Sequence, residues 1–319
     1  MQAFDSEFRT LQYIILKSKR VLLFAHSRPD PDTVGANLAL AEYIRNCGKY
    51  VDIACFDAFP DALKKVAGET FLHPDQVNIP SYDAVIACDS VDRGFHKIAP
   101  TLPENQVVVL IDHHPDISVT GDVVMIDTEY SSSSEIVSLF LSAVEAKVTK
   151  SMATLLLMGI LFDTGGFQHS NVSPQVMQIA SDLIKKGAPL AKITQTIFTK
   201  NSISALKLWG RAFEKAKFNK ENGMLVTAIT EKDVAECHAS LEDIYQVASI
   251  LSTVPDAKFA LVLSQQGEDT IRASLRSLKQ HNIDVSTIAH RFGGGGHKLA
   301  SGFELKGRLV ETDSGFMVA

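Results

Sequence analysis

The feature that most constrains the fold of this chain is an apolar segment that stops at a cluster of ionisable residues. Residues 107–111 are three valines, a leucine and an isoleucine, a composition typical of a strand buried on both faces. Asp112, His113 and His114 follow directly, and Pro115 ends the strand because proline has no backbone N–H for a neighbouring strand. A local turn would account for one histidine. Two adjacent histidines between acids favour a binding site, since ligands bind at the carboxyl ends of strands in open α/β sheets.

Three further apolar elements also end in acids or histidine. They are the predicted strands at 21–25 and 84–88 and the predicted helix at 151–162. The ionisable residues at the four element ends are His26, Asp30, Asp32, Asp89, Asp112, His113, His114 and Asp163. A helix cap or a turn would explain each acid alone. On one rim of a parallel sheet, however, five carboxylates would repel one another and need a cation.

The order of predicted elements indicates an α/β fold with two domains. A βαβ unit at 21–55 opens the chain, and the following strands extend it into a doubly wound, mainly parallel sheet. The sequence changes character after the Lys-Lys-Gly-Ala-Pro segment at 185–189. We therefore predict a first domain at 1–186, a linker at 187–217 and a smaller, mixed α/β domain at 218–319. We expect the active site in the cleft between the two domains.

The composition excludes several classes of protein. Hydrophobic residues make up 45% and charged residues 21% of the chain, as in globular proteins that bury a core. The formal net charge of −6 argues against a broad basic face for long nucleic acid. The four cysteines lack CxxC spacing and are interpreted as buried thiols in a reducing compartment. Without a signal-peptide pattern at 1–19 or an apolar run long enough to span a bilayer, we expect a cytoplasmic protein that does not contact membranes.

The predicted rim offers oxygen and imidazole ligands but no thiolate. Such a set favours Mn²⁺, Mg²⁺ or Co²⁺ over structural zinc. Six or seven ligands are too many for one such ion and suit a pair of ions about 3.5–4 Å apart. Paired ions of this kind polarise a phosphoryl group and activate water for in-line attack, so the residues predict hydrolysis at a two-metal site.

The predicted second domain has two features that suit an anion. Arg272, Ser274 and Arg276 alternate along a predicted strand and therefore share one face, although a solvated sheet face would show the same stripe. Residues 293–296 are four consecutive glycines that follow a predicted helix and precede His297 and Lys298. Their bare amides would form an anion-binding nest, whereas the alternative interpretation is a loop without fixed structure.

These motifs resemble those of the DHH phosphoesterase superfamily, and the glycine run resembles the DHHA1 domain that follows it in one branch. The motif set is highly specific, and the resemblance covers nearly the whole chain. Size and domain plan are similar to the stand-alone bacterial nanoRNase/pAp-phosphatase group. Members of that group degrade very short oligoribonucleotides and remove the 3′-phosphate of 3′-phosphoadenosine 5′-phosphate (pAp). The resemblance implies a Mn²⁺-dependent enzyme for short RNA or pAp that does not hold long duplexes, and it allows a homodimer through the first domain.

The resemblance also implies a role for each motif residue. One ion would be bound by His26, Asp30 and Asp89. The other would be bound by Asp32, Asp89, His113 and Asp163. Asp112 would orient His113, and His114 would contact the scissile phosphate and protonate the leaving oxygen. The residues expected to hold the terminal phosphate or backbone of the substrate are Arg272, Ser274, Arg276, Gly294, Gly295 and His297.

Several alternatives stay open at this point. A RecJ-like single-strand exonuclease would usually carry further DNA-binding domains and a more basic groove. An enzyme for linear dinucleotides such as pApA is a second alternative, which overlaps the main hypothesis. Family II pyrophosphatases lack the four-glycine signature, and membrane-bound cyclic-dinucleotide phosphodiesterases need transmembrane and sensor segments. A metal-bound nucleotide sensor would be the non-enzymatic alternative, against which the intact ligand set argues. Gln168 stands where relatives often carry arginine, so substrate preference stays open, and no role is predicted for Arg28, His96 or His169.

Overall fold

A five-stranded parallel sheet organises the first part of the chain. The computed structural model describes residues 4–68, 70–115, 118–198, 202–244, 246–312 and 315–319. They divide into two units, Met1–Thr199 and Lys200–Ala319. The strands of the first unit are β1 (Arg20–Phe24), β2 (Tyr50–Ala54), β3 (Ala84–Cys88), β4 (Val107–Asp112) and β5 (Val123–Ile126). Their order in the sheet is β2-β1-β3-β4-β5, and every neighbouring pair is parallel. The carboxyl ends of β1, β3 and β4 are therefore adjacent.

The two faces of this sheet are covered differently. The helices of the first unit are α1 (Asp5–Lys17), α2 (Pro31–Asn46), α3 (Asp61–Ala67), α4 (Ser133–Ala143), α5 (Lys150–Asp163), α6 (Pro174–Lys185) and α7 (Leu190–Phe198). One face packs against the main apolar core, to which α1, α2, α4, α5 and α6 contribute. The other face packs mainly against loops and short 3₁₀ segments, including Tyr82 and Phe95. Helix α5 is apolar on nearly all sides because it lies inside the core.

The second unit is built on a mixed six-stranded sheet. Its strands are β6 (Lys217–Asn219), β7 (Met224–Ile229), β8 (Phe259–Gln265), β9 (Thr270–Ser277), β10 (Gly295–His297) and β11 (Ala300–Lys306). Their order is β10-β11-β9-β8-β7-β6, and only β7 and β8 are parallel. A separate hairpin joins β12 (Leu309–Thr312) and β13 (Gly315–Val318). The helices are α8 (Ile203–Glu214), α9 (Glu231–Glu236), α10 (Val247–Leu251) and α11 (Val285–Arg291). The predicted α/β class, with a parallel sheet followed by a mixed domain, is confirmed.

The segment predicted as a linker, residues 187–217, contains two helices. Ile193 of α7 is buried in the core of the first unit. Leu208 and Ala212 of α8 are buried in the core of the second unit. Each helix is amphipathic and buries its apolar side in its own unit. In the part of the chain that the structure describes, no helix is both long and apolar enough to span a bilayer.

Candidate metal centre

The predicted ligands of the first unit meet at the carboxyl edge of the parallel sheet. His26 follows β1, Asp89 follows β3, and His113 follows β4 directly. Asp30 caps the amino end of α2 and accepts hydrogen bonds from the backbone N–H groups of residues 32 and 33. Asp163 is the last residue of α5. Donor atoms within 4.8 Å of one another form three groups: His26–Asp30–Asp89, Asp32–His113–Asp163 and Asp89–His113–His114. The sequence prediction that these side chains converge is thus matched by the geometry.

The first group is arranged around the ring of His26. Its Nδ1 lies 2.6 Å from the carbonyl oxygen of Ser27, so Nδ1 carries the proton in that hydrogen bond. Its Nε2 lies 3.1 Å from Asp30 Oδ2 and 3.5 Å from Asp89 Oδ2. This Nε2 is buried and has no hydrogen-bond partner among the residues described. A buried lone pair directed at two carboxylates is what a divalent ion requires, so the residues fit a metal.

The second group surrounds His113. Its Nε2 lies 3.1 Å from Asp163 Oδ2, 3.8 Å from Asp89 Oδ1 and 3.9 Å from Asp32 Oδ2. Burial and the charge of Asp163 raise the pKa of Asp32 to about 7. Burial opposes the charged form of His113, but the hydrogen bond to Asp163 outweighs it and raises the pKa of this ring to about 9. The carboxylates lie so close together that their mutual repulsion favours retention of protons. A bound cation would relieve this repulsion.

Asp89 lies between the two groups and is 1% exposed. Its Oδ2 faces His26, whereas its Oδ1 faces the rings of His113 and His114 at 3.8 and 3.7 Å. Its backbone φ is +60°, a left-handed conformation that costs about 1–3 kcal/mol for such a residue and persists where the surroundings enforce it. Burial, with the charges of Asp32 and Asp112, holds the pKa of Asp89 well above its usual range. Asp89 therefore has the position expected of a ligand shared by two ions.

Asp32 is held by the amino end of α4. Its Oδ2 accepts the backbone N–H of Ser133 at 2.8 Å, and its Oδ1 accepts that of Ser134 at 2.9 Å. The hydroxyl of Ser133 also donates to Asp89 Oδ1 at 3.1 Å. The sequence alone does not indicate this role, because the serine run at 131–134 shows only the local signal of a helix cap.

Asp112 holds a different ring from the one predicted. Its Oδ1 lies 2.7 Å from Nδ1 of His114 and accepts the backbone N–H groups of His113 and His114 at 2.8 and 3.0 Å. Its Oδ2 accepts the N–H of Val91 at 3.1 Å. Burial raises the pKa of Asp112, but the bond from His114 outweighs it and leaves this pKa at about 2. The expectation that Asp112 orients His113 is therefore corrected: Asp112 fixes the ring of His114 and reaches His113 through the main chain.

Two unpredicted features complete the centre. Arg93 is exposed and its carbonyl accepts the N–H of Ser27 at 2.7 Å, which anchors it beside His26. The pKa of His114 is lowered by burial, by the charge of His113 and, to a smaller extent, by the charge of Arg93. Gly159 of α5 leaves no room for a side chain, because a Cβ there would lie 2.6 Å from Asp32 Oδ1. Arg93 stands four residues after Asp89 in the sequence, whereas no local signal marks Gly159.

Three residues without a predicted role lie near the centre or at the surface. Arg28 is exposed, and its backbone N–H donates to Asp57. His96 is half-buried and its Nδ1 accepts the N–H of Gly94 at 3.3 Å. His169 is exposed, and its Nδ1 lies 2.9 Å from the carbonyl oxygen of Asp163. None of the three belongs to a donor group in the described part of the chain.

The predicted anion-binding residues of the second unit lie on or directly beside strands β9 and β10 of its sheet. Along β9, Arg272, Ser274 and Arg276 are half-buried, while the residues between them are buried. Ser274 is paired with Gly302, and Gly302 with Gly295, so one cross-strand row has almost no side chains. The next row contains Arg276, Ala300 and His297. Burial, followed by the charge of Arg272, lowers the pKa of Arg276, which indicates two neighbouring cations.

The four-glycine segment is ordered, but it does not present four bare amides. The N–H groups of Gly293 and Gly294 donate to the carbonyls of His290 and Ala289 and end helix α11. Gly294 lies against β11, because a Cβ there would be 2.1 Å from the carbonyl oxygen of Gly302. The expected nest is therefore corrected: the glycines allow a helix end and a strand to approach closely, and the Gly294 amide is already used.

Comparison with known proteins identifies the family. The model of the DHH family, N-terminal domain, matches residues 20–160, and the model of the DHHA1 domain matches residues 222–313. The chain belongs to the DHH family. It is 27% identical over 303 residues to the probable bifunctional oligoribonuclease and PAP phosphatase NrnA of Streptococcus mutans, covering 92% of each protein. An exopolyphosphatase-related protein from Bacteroides fragilis has the same fold, with a TM-score of 0.85, 24% identity and coverage of 93% and 90%. Exonuclease RecJ bound to manganese has a less similar fold, with a TM-score of 0.53 and 14% identity; the match covers 96% of this chain and 90% of RecJ.

Proposed function

We propose that this protein is a metal-dependent phosphoesterase that hydrolyses short oligoribonucleotides and pAp to mononucleotides. The observation that carries the proposal is the shared position of Asp89 between the His26 and His113 groups. The similarity to the NrnA relative supports the substrate class, since that protein's name gives both activities.

Two divalent ions fit the donor set of the first unit. His26, Asp30 and Asp89 would bind the first ion, and Asp32, Asp89, His113 and Asp163 the second. When bound, such ions would polarise a phosphoryl group and make water more acidic. Mn²⁺ is the proposed ion, with Mg²⁺ or Co²⁺ as substitutes, because the ligands are oxygen and imidazole. The structure of exonuclease RecJ, which has a similar fold, was solved with manganese bound.

The residues of this chain would place and hold the substrate. His114, fixed by Asp112, would contact the scissile phosphate, and the exposed Arg93 would attract its charge. In the second unit, the proposed ligands of the terminal phosphate or backbone are Arg272, Ser274, Arg276, Gly295 and His297. Gly294 is left out because its N–H already donates to the carbonyl of Ala289. The row of Gly295, Gly302 and Ser274 has almost no side chains and would let a sugar–phosphate backbone lie close to the sheet, with arginines on both sides.

The substrate class is tested by comparing rates with Mn²⁺ on four substrates. These are pAp, a ladder of 5′-labelled RNAs of two to five nucleotides that includes pApA, pyrophosphate and a 24-nucleotide single-stranded DNA. We expect hydrolysis of pAp and the short RNAs only. Processive attack on the DNA would instead identify a RecJ-like exonuclease, and a preference for pApA an enzyme for linear dinucleotides. Location in the cytoplasm and a homodimer through the first domain are further parts of the proposal.

The shared ligand is tested by two matched substitutions at opposite ends of β3. Asp89→Asn removes the carboxylate that faces both donor groups, so we expect loss of turnover on every substrate. Asp83→Asn changes the exposed acid that precedes the same strand and accepts the N–H groups of Lys19 and Arg20, so activity should persist. Substantial turnover by Asp89→Asn would contradict the bridging role.

A further inference from the structure

We propose that the hydroxyl of Ser133 is a positioning group that fixes Asp89 and thereby allows the chain to retain the second of its two ions. The inference rests on the proposed metal centre and adds a residue to it. Ser133 is fully buried, and its Oγ donates to Asp89 Oδ1 at 3.1 Å. The contact joins residues 44 positions apart, so it depends on packing rather than on local sequence.

The hydroxyl is not needed to begin helix α4. The N-cap is Ser132, whose side chain accepts the N–H of Glu135 at 3.0 Å. Ser131 is engaged with the carboxylate of Glu135. Ser133 is the first residue of the helix, where a side-chain oxygen has no capping function. Its hydroxyl is therefore available for Asp89 without cost to the helix.

The oxygen that Ser133 holds is the one that faces the second ion's ligands. Asp89 Oδ1 lies 3.8 Å from His113 Nε2, whereas Oδ2 lies 3.5 Å from His26 Nε2. Rotation of the carboxylate would take Oδ1 away from the His113 side. A hydrogen bond to Oδ1 alone therefore restrains the arrangement that serves both sides at once.

The same helix end fixes a second ligand by another route. The backbone N–H groups of Ser133 and Ser134 hold both oxygens of Asp32. Substitution of Ser133 leaves these backbone bonds in place, so its effect would be confined to Asp89. The first ion retains His26 and Asp30, which Ser133 does not touch. Loss of the hydroxyl should consequently weaken one ion more than the other.

The test is a calorimetric Mn²⁺ titration of the metal-free full chain as wild type, Ser133→Ala and Ser138→Ala. Ser138 is a matched control, since its buried hydroxyl donates to the carbonyl of Ser134 in the same helix and touches no proposed ligand. We expect two ions in the wild type and the control. In Ser133→Ala we expect one ion of unchanged affinity and one weakened by roughly 10–100-fold, the usual effect of removing a partner of a metal ligand.

Each other result has a defined meaning. Two ions of wild-type affinity in Ser133→Ala would overturn the inference but leave the proposed metal centre intact, as would equal weakening of both. A wild type that binds fewer than two ions would overturn the proposed centre itself, and the inference with it. Circular dichroism of the metal-free variants checks folding. If Ser133→Ala does not fold, Ser133→Gly removes the same hydroxyl and gives the same prediction.

Discussion

Gly159→Ala should impair the metal centre although Gly159 is not among the proposed metal ligands. Gly159 lies inside α5, which packs against α2 and α4. A Cβ at this position would be 2.6 Å from Asp32 Oδ1 and 2.1 Å from Ser134 Oγ. Both atoms are buried, so neither can move into solvent.

The expected effect on stability is small because two terms oppose each other. Replacing a helical glycine by alanine favours the helix by about 1 kcal/mol. Overpacking of a buried contact costs about 1–3 kcal/mol. The free energy of unfolding should therefore fall by roughly 0–2 kcal/mol, and the variant should fold.

The effect on metal binding should be larger. Ordinary van der Waals contact begins near 3.4 Å, so Asp32 Oδ1 must move by about 0.8 Å or α5 must shift. Metal–ligand distances tolerate only about 0.2 Å, so the second ion's affinity should drop by roughly 10–100-fold. The assay is Mn²⁺ titration calorimetry, with thermal unfolding in chelator as the measure of stability.

Gly210→Ala is the matched control for this substitution. Gly210 also lies inside a helix, α8, but it is exposed and a Cβ there would meet no atom within 4 Å. It should gain about 1 kcal/mol of stability and leave Mn²⁺ affinity unchanged. If Gly159→Ala binds two Mn²⁺ ions as tightly as the wild type, the packing argument for Asp32 is refuted.

Two further predictions concern substrate binding and pH. His297→Ala should raise KM for pAp with little change in kcat, because His297 is proposed to hold a remote phosphate; loss of kcat at saturating substrate would place it in the chemical step instead. The free energy of unfolding of the metal-free protein should decrease as pH rises from about 4 to 9. In the folded state the pKa of Asp32 is about 7 and the pKa of His113 is about 9. Both groups therefore keep their protons at pH values at which the unfolded chain has already lost them. A melting temperature in chelator that is constant or rises over this range would contradict the second prediction.

The positions of the ligands could be predicted from the sequence because they depend on strand ends. A buried apolar run marks each strand, and adjacent parallel strands bring His26, Asp89 and His113 to one edge. Ser133 and Gly159 could not be predicted, because their importance comes from contacts between helices far apart in the chain. The glycine segment was misjudged for a related reason. Its local pattern suggested free amides, whereas the structure uses Gly294 to join a helix end to β11.

The two halves of the metal centre should differ in how proton release accompanies ion binding. In the first half, burial opposes ionisation of Asp30, but its partner His26 outweighs this and holds the pKa of that carboxyl well below its usual range. Burial lowers the pKa of His26, but the charge of Asp30 outweighs it and raises this pKa, so one ring of the first half must release a proton when the ion binds. In the second half two groups, Asp32 and His113, retain protons near neutral pH, and both must lose them. The affinity of the second ion should therefore increase more steeply than that of the first between pH 6 and about 9. Mn²⁺ titrations in two buffers of different ionisation enthalpy would count the protons released with each ion. Equal proton release by both ions would show that the asymmetry between Asp30 and Asp32 does not govern metal binding.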